Sequence, residues 1–224
     1  MGLKFKSLLI VLLAIATSSF AQQTKIETGI FGGIGLRNLR GNDILKKNNT
    51  SAPGFAGGLS FQYNFSEKIA LHMDVTFDKK GAVAHVDQLD SNGNSVGKIT
   101  THSNFDYLTL PIMLRYTLHK KVDLFIEAGG FAAYLLKQNF VVKQNDTGKV
   151  VVDNSYKDKP LDFGISLGIG LCIPIKERLA LNFEIRDNFG LFNVSDVPVH
   201  NNGTIQTNNT LLICGLVFRL GKAL

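Results

Sequence analysis

Residues 106–118 read Asp106-Tyr107-Leu108-Thr109-Leu110-Pro111-Ile112-Met113-Leu114-Arg115-Tyr116-Thr117-Leu118. Successive side chains of a strand point to opposite faces, so Leu108, Leu110, Ile112, Leu114, Tyr116 and Leu118 share one face. Tyr107, Thr109, Pro111, Met113, Arg115 and Thr117 share the other. The run is longer than the five or six residues of an ordinary strand. It has the length that a tilted strand needs to cross a bilayer.

The same period of two recurs along the chain. Ile69–Asp78 alternates Ile69, Leu71, Met73, Val75 and Phe77 with Ala70, His72, Asp74, Thr76 and Asp78. Leu179–Phe189 places Leu179, Leu181, Phe183, Ile185 and Phe189 opposite Ala180, Asn182, Glu184, Arg186 and Asn188. Five further strands are expected at Ile26–Leu36, Gly54–Phe65, Val122–Leu136, Leu161–Ile173 and Leu211–Leu220. Three of the connections are tight: Ser66-Glu67-Lys68, His119-Lys120-Lys121 and Lys176-Glu177-Arg178. Four are long and polar, at 37–53, 81–104, 137–160 and 193–208. Short and long connections alternate strictly. An all-β, eight-stranded antiparallel up-and-down barrel places every tight turn at one end and every long loop at the other. Transmembrane barrels have that asymmetry, and it puts both termini in the periplasm.

Which face points outward follows from two features. The apolar face carries aromatics near the strand ends (Phe65, Phe77, Tyr116, Tyr134, Phe189 and Phe218), as membrane girdles do. The polar face is rich in small residues and charges of both signs, which suit the narrow interior of an eight-stranded barrel. The expected lumen charge network comprises Glu27, His72, Asp74, Arg115, Glu127, Asp162, Glu184, Arg186 and Arg219. Charges buried together must be paired, so a structural plug is the favoured reading over an ion path.

Residues 1–21 read as a secretory signal peptide. Lys4 and Lys6 precede the apolar run Leu8–Ala16, and Ser19-Phe20-Ala21 offers a cleavage site. The barrel domain is then 22–224. The apolar run is too short to span a bilayer, and no cysteine follows it for lipid anchoring. The net charge of +6 is scattered, with no basic stripe interleaved with aromatics, so no nucleic acid partner is expected. Cys172 and Cys214 lie in strands that are not neighbours and read as free thiols.

Catalytic chemistry finds little support. The five histidines are dispersed and lack zinc-ligand spacing, and no cofactor is expected. The glycines of 29–33 lie inside a strand and open no helix, so they form no phosphate loop. His102-Ser103 near Asp106 is the nearest approach to a hydrolytic triad, and its adjacent residues face opposite ways.

The Tyr107–Tyr116 block resembles a strand of the Bacteroidetes outer-membrane β-barrel family often called PorT-like. Glu127-Ala128-Gly129-Gly130, Asp162-Phe163-Gly164 with Gly168 and Gly170, and Gly215-Leu216-Val217-Phe218-Arg219-Leu220 extend the resemblance along the mature chain. It implies an integral outer-membrane protein of a Gram-negative bacterium, of OmpA/OmpX-like architecture. The founding member of that family belongs to a secretion and gliding apparatus. Barrels of this kind usually end on an aromatic residue, whereas here Phe218 is followed by six more residues. The leading functional expectation is a non-enzymatic envelope protein, in contact with outer-membrane lipids and engaging envelope protein partners through its four long loops. A narrow passive pore is the alternative, and a membrane-embedded lipid-modifying enzyme is a third reading.

Overall fold

The computed structural model describes residues 26–89, 91, 95–144, 148–153 and 157–220. The segment read as a signal peptide and its cleavage site lie outside the described residues. Eight long strands form the barrel: β1 (Ile26–Arg40), β3 (Ala52–Asn64), β4 (Ile69–Leu89), β5 (Ser95–Leu118), β6 (Asp123–Gln144), β8 (Leu161–Lys176), β9 (Leu179–Gly190) and β10 (Gln206–Leu220). Two short strands, β2 (Asn49–Thr50) and β7 (Gly148–Asp153), are added at the loop end. Each long strand pairs antiparallel with its neighbour, and β1 pairs with β10 from Ile26↔Leu220 to Arg40↔Gln206. That last pairing closes the sheet. In a bilayer core without water, closure is what satisfies the backbone groups of both edge strands. No helix among the described residues is long and apolar enough to cross a membrane.

The side chains are arranged inside out. Ile185 on β9 is 54% exposed, while its neighbours Glu184 and Arg186 are each 2% exposed. The exposed face carries Ile30, Ile34, Leu59, Leu114, Ile126, Leu167, Ile169 and Leu212 around the wall. Exposed aromatics lie at both rims, with Phe65, Tyr116 and Phe218 at the end bearing the termini and Phe55, Tyr134 and Phe163 at the other. Cys214 lies on this exposed face and Cys172 faces inward; both are free.

The tight turns fall where expected. In the β3–β4 turn the Ser66 hydroxyl accepts hydrogen bonds from the Lys68 and Ile69 amides. The long connections differ from expectation. Residues 81–104 are mostly strand, because β4 and β5 stay paired as far as Leu89↔Ser95. Within 137–160, β6 continues to Gln144 and turns back as β7. Residues 37–53 hold the end of β1, the short helix α1 (Asp43–Asn48) and β2, which pairs with β4. Within 193–208, β10 has already begun at Gln206. The physical reason is common to all four. Above the lipid, a strand needs no apolar outer face, so polar composition there does not distinguish strand from loop.

The wall therefore continues beyond the apolar band as a sheet. Lys79 and Asp106 pair at 2.6 Å on the outer face, just past Phe77 and Leu108. From Lys79 to Leu89, β4 extends roughly 33 Å along its length at the usual strand rise. Gly81 permits the departure: its φ is +129°, and a Cβ there would meet the Ser103 carbonyl oxygen at 1.9 Å.

Candidate functional site: a layered lumen

Inward-facing positions of β4, β5, β6 and β9 meet in a central cluster. The Arg186 guanidinium reaches three carboxylates: Asp74 at 2.5 Å, Glu184 at 2.5 Å and Glu127 at 3.3 Å. Arg115 donates from Nε to Glu127 at 2.7 Å and lies 3.7 Å from Glu184. Its guanidinium carbon stacks 3.8 Å from the centre of the Phe125 ring. His72 lies between these groups, with Nδ1 2.9 Å from Glu127 and Nε2 3.1 Å from Asp74. Arg115 Nη2 also stands 2.9 Å from His72 Nδ1. All six side chains are buried. Gly168 makes room for them: a Cβ there would meet Glu127 Cγ at 2.8 Å and carboxylate oxygens of Glu127 and Glu184 at 3.0 Å.

Asp162 belongs to a second tier nearer the loop end. It accepts from Lys80 Nζ at 2.9 Å and from the Thr207 hydroxyl at 2.6 Å. Lys80 also lies 4.2 Å from the Phe131 ring centre and 4.9 Å from that of Tyr107. Asn209 donates to Asp78 at 2.5 Å. Arg37 donates to the Pro53 and Lys80 carbonyls and to Asn104 Oδ1, tying four strands together across the lumen. Above this tier the interior becomes apolar. Leu39, Ala82, Phe105, Tyr107, Phe131, Ala133 and Leu135 pack together, capped by Leu45 of α1 and by Ile205.

Glu27 and Arg219 are remote from the central cluster. They form a third tier at the turn end, where Arg219 lies 3.5 Å from both Glu27 and Asp123. His119, in the β5–β6 turn, bonds through Nδ1 to Asp123 at 2.9 Å and through Nε2 to the Glu67 carbonyl of the β3–β4 turn. Burial alone would lower the His119 pKa, but those two acceptors outweigh it and raise it above the ordinary histidine value. In the loop segment after β7, burial pushes Asp158 up to about 6 against the opposing pull of Lys157.

The nine charged residues expected in one lumen network are thus divided among three tiers. Six meet in the centre, one lies above and two lie below. Arg37, Asp78, Lys80 and Asp123 were not among them. Asp78 and Lys80 continue the parity of His72, Asp74 and Thr76, so extending the alternation two residues past the assumed strand end would have found Lys80. The cavity at the turn end holds about 430 Å³ and is bordered by Arg115, Phe125, Cys172 and Arg219. The void reaching the central cluster holds only about 20 Å³, close to the space one water needs.

The proposed hydrolytic residues do not converge. The Asp106 carboxylate pairs with Lys79 on the outer face, while His102 and Ser103 point to opposite faces of β5. Among the described residues no group of His, Cys, Asp or Glu is arranged to hold a metal ion.

A closed antiparallel barrel with an apolar exterior and a charged, filled lumen defines the class: a β-barrel membrane protein. The chain belongs to the outer membrane protein β-barrel domain family, whose model matches residues 20–196. It is similar in fold to a major outer membrane protein from Thermus thermophilus, at 11% identity and a TM-score of 0.53, covering 87% of this chain and 99% of that one. Neisserial surface protein A is more distant, at 11% identity and a TM-score of 0.46 over 88% of this chain and 98% of that one. OprG from Pseudomonas aeruginosa gives 10% identity and a TM-score of 0.43 over 88% of this chain and 97% of that one. No curated protein matches the chain. The protein is an outer-membrane β-barrel of a Gram-negative bacterium.

Proposed function

We propose that this barrel is a non-enzymatic envelope protein that presents a rigid extracellular sheet to a protein partner, with the turn end in the periplasm. One observation carries the reading: the lumen is filled by the Arg186 and Arg115 clusters while the wall continues beyond the lipid as β4–β5 and β6–β7. A filled interior suits a plug that holds the barrel's shape. Binding residues commonly sit on loops held by a rigid scaffold. Within this reading, the PorT-like resemblance points to a partner in a secretion or surface-assembly apparatus.

The test is a deletion strain complemented with the intact protein or with a form in which residues 83–102 are replaced by a short turn. Outer-membrane and secreted proteins are compared by mass spectrometry. The reading expects that the shortened form inserts normally but fails to restore the proteins lost on deletion. Full restoration by the shortened form would overturn it. The narrow-pore reading is separated by planar-bilayer recording. A filled lumen predicts no stepwise conductance from the intact protein, and steady channel steps would favour the pore instead.

A further inference from the structure

The lipid-facing wall carries a polar island on β9 and β10. Asp187 points outward from β9, in the parity of Phe183, Ile185 and Phe189. Its strand partners are Leu167 on β8 and Thr210 on β10, and Thr210 pairs in turn with Leu36 on β1. Leu36, Leu167, Ile185 and Leu212 surround it at 53–59% exposure, so the carboxylate stands within the apolar surface. Asp187 Oδ1 accepts from the Thr210 hydroxyl at 2.6 Å and from the Asn208 amide at 3.0 Å. Oδ2 is reached by that same amide at 3.2 Å. Both partners are neutral, so neither compensates the charge. Ionisable groups facing lipid are costly and mark functional sites.

A cation stands beside the island, nearer the loop end. Phe189 lies two residues beyond Asp187 on the same face, roughly 7 Å along the strand at the usual rise. Arg40 of β1 covers its ring, with the guanidinium carbon 3.5 Å from the centre. Arg40 donates to Gln206 Oε1 at 2.6 Å and to the Gly190 carbonyl, while its Nε has no partner among the described residues. A guanidinium has five N–H donors, so these two bonds do not exhaust it.

We propose that Asp187 and Arg40 form a site for a lipid with one phosphate head and an amide-linked, hydroxylated acyl chain, the chemistry of a ceramide phosphate. The phosphate accepts from Arg40 at the level of the head groups. One step deeper, the amide N–H and hydroxyl of the lipid donate to Asp187. An ester-linked phospholipid brings only carbonyl acceptors to that depth, and these meet a carboxylate unfavourably. One guanidinium and one carboxylate on neighbouring strands suit a single phosphate and a single amide, rather than a saccharolipid with several of each. The site lies on strands other than those of the extended sheet, so it is independent of the partner reading.

The test offers the intact barrel, in detergent micelles, equal amounts of a ceramide phosphate and a phosphatidic acid of matched chain length. Native mass spectrometry reads the retained lipid. The expected result is at least a fivefold excess of the ceramide phosphate adduct. Asp187→Leu should bring the two adducts to parity, and Arg40→Gln should lower both alike. Equal adducts on the intact protein, or a preference that survives Asp187→Leu, would overturn the proposal. A ceramide phosphate methylated on its amide nitrogen keeps the test open if that variant fails to refold. It must lose the preference on the unaltered protein, and its undiminished retention would also sink the site. Stronger retention of a doubly phosphorylated lipid A than of the ceramide phosphate would overturn the single-phosphate assignment.

Discussion

Arg186 holds three carboxylates from three strands, and among the described residues no other cation contacts all three. Replacing it by leucine leaves Asp74, Glu184 and Glu127 facing one another with only Arg115 and His72 near. Removing one partner of a buried ionic cluster costs about 3–5 kcal/mol. Arg186→Leu is therefore expected to lower the urea midpoint of the refolded barrel, read as loss of the compact band on unheated gels. Gly168 offers a second test of the same cluster. Gly168→Val forces a side chain into the Glu127 carboxylate and is expected to destabilise more than the equivalent change at Gly32, where a Cβ meets nothing within 4 Å. At the turn end, His119 carries a pH signature. Its folded pKa is raised, so its contribution is complete below the unfolded value of about 6.5 and is lost as pH rises through the folded value. The midpoint difference between the intact protein and His119→Leu should be largest at pH 5.5 and shrink at alkaline pH. A difference that grows with pH would contradict the two-acceptor geometry.

At the scale of the element, α1 has only six residues, and its cap is its main local support. The Asn42 side chain accepts from the Leu45 amide at 2.9 Å, while Leu45 packs on the apolar cluster above the lumen. Asn42→Ala is expected to cost about 1 kcal/mol of local stability. It should appear as faster amide exchange across 43–48 without a change in the global urea midpoint. The strands themselves were legible where lipid imposes its pattern. In Ile69–Phe77 and Leu108–Leu118 every second residue must be apolar, and the alternation is unmistakable. Beyond Lys79 and Asp106 that constraint ends. The same strands continue through Ala82-Val83-Ala84 and Thr100-Thr101 with a polar, mixed pattern that reads as loop. Leu136 adds a further complication, because the register between β5 and β6 shifts at Asp106/Tyr107, so Leu136 and Lys137 both face outward.

For the whole molecule, function follows from how the tiers are stacked. The charged plug, the Lys80–Asp162 tier and the apolar cap lie in series, so opening one leaves the others in place. A single substitution in the plug, such as Glu127→Gln, should therefore leave the barrel electrically silent in planar bilayers. Channel activity from that one change would mean that the plug alone gates the lumen.

Period two, the alternation of short and long connections, and the opposite character of the two faces were enough by themselves to determine an eight-stranded transmembrane barrel with charged residues inside. Lipid outside and a narrow lumen inside impose those patterns residue by residue, so they are written locally in the chain. The tertiary structure alone decided which charges meet. Parity tells that Glu27, Glu127 and Glu184 all face inward. Only strand register sets their heights, placing Glu127 and Glu184 beside Arg186 and Glu27 beside Arg219. Likewise, only the pairing of β6 with β7 reveals that the sheet continues past the apolar band, because hydrogen bonding between distant segments leaves no local trace in a polar stretch.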